Sequence, residues 1–312
     1  MRKLRVLVCL PTRDNDFQLE QAWSVEQVAQ TLNIELTLLY ADNDSITQSS
    51  LILKAVQASA DSRPDAVVFE PVGGDALPRV AQIAQDSGIG WAVLNRAPSY
   101  VPEFRIRSRV PVFSISSDHL EIGRIQGRQF AALLPAGGAV LYLEGPSNSS
   151  SAKLRTTGML ETKPSNIRVS FLRGQWTQES GERAVQSWLK LATSQGARIN
   201  LVGAQDDSMA IGARKAFEAV LDYKLRAARL TIPFTGCDGV AKTGQAWVRK
   251  GLLAATVHIP PLAGEALEIM ARAIQSGIQP PEHSTTVSVS IPPLNRLQPV
   301  ALLNGSREFS QK

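Results

Sequence analysis

Arg5 to Leu32 reads RVLVCLPTRDNDFQLEQAWSVEQVAQTL, and the change of period inside this stretch decides the fold. Val6, Leu7, Val8, Cys9 and Leu10 follow one another without polar residues between them. A continuous apolar run of that kind belongs to a strand covered on both faces, whereas a half-exposed strand alternates. Pro11 and Thr12 stop the run. Beyond them Leu19, Ala22, Val25, Val28, Ala29 and Leu32 recur at helical spacing and share one buried face. The unit is strand, loop, helix.

The same unit recurs along the chain. Glu35 to Tyr40 is a second strand, followed by a helix from about Thr47 to Ser59 for which Asp44 or Ser45 serves as N-cap. Ala66 to Glu70 is a third strand, followed by a helix through Val80 and Ala84, and Trp91 to Leu94 is a fourth. From Ala97 to Val112 prolines and arginines break the rhythm; then Phe113 to Ser117 resumes as a strand and Leu120 to Leu133 as a helix. A second series follows in VLYLEG, RVSFLRG, INLVGAQ and IPFTGCDG, each strand with a helix behind it, the last near Lys242 to Lys250. AATVHIPP, a helix up to Gly277, and TTVSVSIPPL close the chain. Strands alternating with helices predict an α/β protein with parallel sheets.

A length of 312 residues exceeds one ordinary core and predicts two domains, and 44% hydrophobic with 20% charged residues carries no signature of disorder. The net charge of +5 is spread rather than gathered into a run, which argues for a solvated basic surface and against nucleic acid as partner. Cys9 and Cys237 each sit in an apolar run and read as core thiols. No apolar stretch nears the ~20 residues of a membrane span, and the apolar part of the first residues is too short for a signal peptide. Two readings stay open at that end: a mature domain with a new Met1, or a cytoplasmic protein.

In open parallel sheets the ligand lies beyond the carboxyl ends of the strands. The residues there are Asn15, Asp16 and Phe17; Glu70; Asn95 and Arg96; Glu144; Gln175 and Trp176; Asp206 and Asp207; Asp238; and His258. Carboxylates, amides and guanidinium groups satisfy hydroxyls that both donate and accept, and the flat face of a sugar ring suits Phe17 or Trp176. The set matches a polyol better than a phosphate. Asp206, Asp207 and Asp238 have a plainer alternative as helix caps, Phe17 as core and Trp176 as a loop anchor. Gly73-Gly74 reads as a turn. No GxGxxG follows a strand, and GxxxxGK[ST], HExxH and GxSxG are absent, while His119, His258 and His283 lack metal-ligand spacing. Catalysis, metal and cofactor are therefore not expected.

These residues resemble the type I periplasmic binding proteins of the ribose and galactose group, which are related to the effector domains of lactose-repressor-type regulators. RVLVCLPTRDNDFQLEQAW is similar to that family's first strand and Asn-Pro-Phe loop, with Asn15 and Phe17 matching and Asp16 replacing the proline. DAVVFEPVGGDAL resembles its third strand and loop, and IGWAVLNRAP its fourth, where Asn95-Arg96 stands for the usual Asp-Arg. GPSNSSSAKLRTTGM resembles the loop and helix that carry a ligand-binding arginine, here Arg155. LVGAQDDSMAIGARKAF is the most specific match, to Ala-Gln-Asn-Asp-x-Met-Ala-x-Gly-Ala, with the ligand asparagine falling on Asp206. FTGCDGV offers Asp238, and the next ligand position falls near His258.

The resemblance implies two Rossmann-like lobes with parallel sheets joined by a three-strand hinge. The lobes are expected at residues 1–112 plus 259–285 and 113–258 plus 286–312, with the ligand cleft between them. A monomeric, non-enzymatic solute-binding protein is implied, periplasmic, delivering a sugar or polyol to an ABC permease. The alternative is a sugar sensor that signals to a histidine kinase, or a regulator's effector domain without its DNA-binding segment, since no helix-turn-helix precedes Arg5. An enzyme on the same scaffold is the third reading, because fold does not dictate function. Asn95, Asp206 and His258 depart from the family pattern, so ribose or galactose is not carried over as the ligand.

Overall fold

The computed structural model describes residues 2–73, 76–195 and 197–299. Gly74 of the expected Gly73-Gly74 turn, and the part of the second expected lobe beyond residue 299, lie outside the described residues. The chain divides into two units, Met1–Asp118 with Ile259–Ser288, and His119–His258 with Val289–Lys312. It passes between them three times.

The first unit contains β1 (Arg5–Leu10), α1 (Asp16–Thr31), β2 (Glu35–Tyr40), α2 (Ser45–Val56), β3 (Ala66–Phe69), α3 (Pro78–Asp86), β4 (Gly90–Leu94), α4 (Val101–Arg107) and β5 (Val112–Ser117). The second begins with α5 (His119–Leu133), β6 (Gly138–Glu144), α6 (Ser150–Thr162), β7 (Ile167–Arg173), α7 (Gln178–Leu189) and α8 (Ala192–Gln195). It continues with β8 (Leu201–Ala204), α9 (Asp207–Glu218), α10 (Tyr223–Leu230), β9 (Phe234–Thr235), α11 (Gly244–Arg249) and β10 (Thr256–His258). The chain then returns to the first unit for α12 (Leu262–Ser276) and β11 (His283–Thr286), and ends in the second with β12 (Val289–Ile291) and a 3₁₀ turn at Leu294–Arg296.

The first unit is one sheet of six strands in the order β11-β5-β4-β3-β1-β2, every pair parallel. Strands β1, β3 and β4 bury both faces, as their continuous apolar runs require, whereas β2 and β11 at the two edges are partly exposed. On one face Val6, Val8 and Leu10 meet Ala22 and Val25 of α1 and Leu262, Ala266 and Met270 of α12. On the other, Leu7 and Cys9 meet Ile52 and Val56 of α2 and Val80 and Ala84 of α3. Cys9 and Cys237 are free, buried thiols, and burial pushes the Cys9 thiol up to about 11. The second unit has a parallel sheet in the order β7-β6-β8-β9 and an antiparallel pair, β10 with β12.

Four local readings change. The first crossing was expected before Phe113, but β5 belongs to the first unit, because Trp91 pairs with Val112 and His283 with Ser114 on its two sides. The last crossing lies after Ser288, so residues 286–288 also belong to the first unit. The run TTVSVSIPPL was expected to be one strand and is two: Thr286 pairs with Ser117, whereas Ile291 pairs with Thr256. The irregular stretch after Arg96 contains α4, which tolerates Pro102 because a first-turn proline has no hydrogen bond to lose.

Candidate functional site

Each sheet has one place where the order of strands reverses. In the first unit the chain runs from β1 to β2 on one side and returns to β3 on the other, so the loops after β1 and β3 diverge. In the second unit β6 leads to β7 on one side and β8 lies on the other, so the same divergence falls between β6 and β8. Open α/β sheets bind ligands at such points. Most of the expected residues fall there.

At the first switch point Asn15 caps α1, its Oδ1 accepting from Phe17 N at 2.9 Å and Gln18 N at 3.2 Å. One amide oxygen of Asn15 is therefore committed to the helix, which is a structural role for part of a residue expected to face ligand. Gln18, in the first turn of α1, donates from Nε2 to Glu70 Oε2 at 2.9 Å. Gln48 closes the loop after β3: its Nε2 donates to Glu70 O at 2.8 Å, and its Oε1 accepts from Val72 N at 3.0 Å. Asn95 follows β4 with φ 58°, and its Oδ1 is buried without a hydrogen-bond partner. Asp16 and Phe17, in the first turn of α1, and Arg96, in the loop after β4, are half-buried.

The second switch point gathers more of the expected set. Arg155 of α6 is only 6% exposed, donates from Nη1 to the Gln205 carbonyl, and lies 3.8 Å from Asp238 Oδ1. Its guanidinium carbon stands 5.5 Å from the Trp176 ring centroid, a cation–π geometry. Trp176 adopts φ 61°, a left-handed conformation unfavourable for a bulky residue. His258 Nδ1 is 3.1 Å from the carbonyl of Gly239, next to Asp238. The three aspartates have separate roles. Asp206 caps α9 by accepting from Met209 N at 2.8 Å, and Asp207 accepts from Gly239 N at 2.8 Å and braces that turn. Asp238 caps no helix, because the N-cap of α11 is Thr243. Glu144 accepts from Thr156 Oγ1 at 2.6 Å and faces Arg173 at 3.6 Å, and the Gln175 side chain is exposed.

Glycines set these groups in place. A Cβ on Gly123 would lie 2.0 Å from Arg155 O, and one on Gly158 would lie 2.0 Å from Leu120 O, so α5 and α6 touch backbone to backbone. α7 and α9 meet in the same way through Gly181 and Gly212, the latter's Cβ falling 1.9 Å from Gln178 O. Gly145 leaves room for Trp176, whose ring would lie 2.1 Å from a Cβ there. Gln205 ties the loops together: Oε1 accepts from Gly145 N at 2.9 Å, and Nε2 donates to Ala152 O at 3.0 Å and Thr156 Oγ1 at 2.9 Å. Gln18, Gln205 and Gly145 were not singled out in the sequence. Gln205 stands beside Asp206 in the matched motif, and that was the available signal.

The electrostatics are those of a crowded acid cluster around one cation. Burial, then the charge of Asp206, holds the Asp238 carboxyl well above the usual carboxylate range, against the pull of Arg155. Burial works against the charge of Arg155, but Cys237, Asp238, Tyr142 and Asp206 together outweigh it and raise the guanidinium further. Such an arrangement is chemically able to orient a small polar molecule by paired hydrogen bonds, with the Trp176 ring as a flat apolar face.

Each unit is doubly wound and gathers polar side chains near its switch point, the place where open α/β sheets bind ligands. The chain belongs to the family of the periplasmic binding protein domain, whose model matches residues 6–278. It is 26% identical over 201 residues to a putative rhizopine-binding protein of Rhizobium meliloti, covering 62% of this chain and 61% of that one. The chain thus spans about three fifths of that relative's length. Its fold matches an ABC transporter periplasmic solute-binding protein from Actinobacillus succinogenes with bound D-allose, at a TM-score of 0.78, 19% identity, and 92% and 97% coverage of the two chains. It also matches the fructose-binding periplasmic domain of a hybrid two-component system, at a TM-score of 0.74, 20% identity, and 92% and 90% coverage.

Proposed function

We propose that the protein captures a monosaccharide or polyol and presents it, as a monomer in the periplasm, to an ABC-type permease. The observation that carries this reading is the constellation of Arg155, Trp176 and Asp238. It combines a fixed double donor, a flat apolar face and a carboxylate within one buried loop cluster. A phosphate would meet Asp206, Asp207 and Asp238 there against a single arginine, whereas a hydroxyl can donate to the acids and accept from the cation. The ligand contacts of the reading are Asn15, Asp16, Phe17, Asn95 and Arg96 from the first unit, and Arg155, Trp176, Asp206, Asp238 and His258 from the second. The similarity to structures named for bound D-allose and for fructose supports the solute class. Three chain passages support a closing movement, because a hinge concentrates backbone change in a few residues.

The test is a thermal-shift screen of sugars and polyols on protein refolded free of co-purified ligand. Micromolar affinity corresponds to about 8 kcal/mol, and a ligand at 100 times its dissociation constant adds about 2.7 kcal/mol of stability. One clear stabiliser is expected, accompanied by a smaller radius of gyration in solution scattering. A broad panel without effect overturns the reading. A second reading, a periplasmic sensor, is favoured by the likeness to the two-component domain. The partner decides: the liganded protein stimulates a permease's ATPase in the first case and a kinase's autophosphorylation in the second.

A further inference from the structure

Gln18 shows an asymmetry that neither helix capping nor core packing explains. It is 7% exposed, and its amide is oriented without ambiguity, because Nε2 faces the Glu70 carboxylate at 2.9 Å and a carboxylate can only accept. The other end, Oε1, is buried and has no hydrogen-bond partner. Buried amide oxygens are almost always satisfied, and an orphan calls for a partner that the chain itself does not supply. Apolar residues of similar volume would fill the same space without that cost.

Position gives the orphan its meaning. Gln18 stands over the carboxyl end of β1 and Glu70 over that of β3, the two strands on either side of the reversal in strand order. Asn95 follows β4, the next strand beyond β3, and its Oδ1 is also buried without a partner. Across three adjacent strands, spaced about 4.8 Å apart, the first unit therefore presents an amide oxygen, a carboxylate and a second amide oxygen. Each of the three atoms accepts hydrogen bonds.

We propose that Gln18 is a specificity-determining residue whose Oε1 accepts a hydrogen bond from a hydroxyl of the solute, so that this edge selects hydrogen donors and rejects deoxygenated or etherified positions. The proposal rests on the solute-binding reading above and adds to it the polarity of one ligand edge. Glu70 is a positioning residue in this scheme: it holds Nε2 and thereby turns Oε1 outward from the pair.

The experiment uses the full chain, with D-ribose, D-allose, D-galactose, xylitol and myo-inositol as probes, each beside its monodeoxy analogues. For whichever probe binds, calorimetry should show one deoxy position that costs the wild-type protein tenfold or more. In Gln18→Met that ratio should collapse to within about threefold, because the variant loses the hydroxylated ligand and keeps its affinity for the deoxy one. Gln18→Glu serves as the polar comparator and should recover selectivity only at acidic pH, where its carboxyl is protonated beside Glu70. An unchanged ratio in Gln18→Met for every deoxy position overturns the proposal. If no probe binds the wild type, the solute-binding reading fails first, and Gln18 is judged by ligand-free melting alone. There an unchanged or higher melting temperature in Gln18→Met supports an orphan kept for a ligand, and a clear fall makes Gln18 a structural strut and overturns the proposal.

Discussion

Replacing Gly212 by alanine sets two effects of known sign against each other. A glycine inside a helix costs about 1 kcal/mol relative to alanine, so at an open position the change would stabilise α9. Gly212 is not open. The added Cβ would lie 1.9 Å from Gln178 O and 2.8 Å from Glu182 N, both backbone atoms of α7. An ordinary carbon–oxygen approach is about 3.3 Å or more, so the helices must part by roughly 1.4 Å. Overpacking of this kind typically costs about 1–3 kcal/mol and more where backbone must move, so the clash outweighs the propensity gain. A net loss of about 1–2 kcal/mol corresponds to a melting temperature lower by about 1.5–3 °C for a chain of this size. The displacement also reaches the site, because α9 begins at Asp207 and is capped by Asp206. Binding of the stabilising sugar should weaken about tenfold, measured by calorimetry, while far-ultraviolet circular dichroism stays that of the wild type. A Gly212→Ala protein that melts at or above the wild-type temperature would show that α7 and α9 are not in backbone contact and would refute the reasoning.

Asp238→Asn should flatten the pH dependence of stability. The folded-state carboxyl titrates above its unfolded value, so its contribution is fully present below the ordinary pKa near 4 and is lost as pH rises through the folded-state value; parallel melting profiles for variant and wild type across that range would contradict this. Arg155→Met removes the cation that Asp238 and Asp206 share; sugar affinity should fall tenfold or more, and the loss of stability should grow with pH, both read from calorimetry and thermal melts. Gly145→Ala places a Cβ 2.1 Å from the Trp176 ring, so the ring should swing off Arg155. A shifted tryptophan emission maximum and weaker binding with an almost unchanged melting temperature are expected, and normal emission would remove Trp176 from the platform.

Local period was enough to read most of the elements. Continuous apolar runs such as Val6 to Leu10 and helical stripes such as Ala22, Val25 and Ala29 arise from contacts that each residue makes with a covering layer, and they repeat wherever that layer is present. The residues beyond the strand ends were legible for the same reason, because parallel α/β construction places them all at one edge. The strand order, and with it the lobe that owns β5, was not legible. Phe113 to Ser117 looks the same whether its neighbours are β4 and β11 or the strands of the second unit, and only the pairing of Trp91 with Val112 and His283 with Ser114 decides. The division of labour among Asp206, Asp207 and Asp238 depends on which backbone N–H each one meets, and the contacts of Asp207 with Gly239 and of Asp238 with Arg155 cross long intervals of chain. Gln18 makes the difference plain: its sequence context is that of any polar residue in a first helical turn. Its orphan oxygen exists because Glu70, fifty-two residues away, takes the other end of its amide.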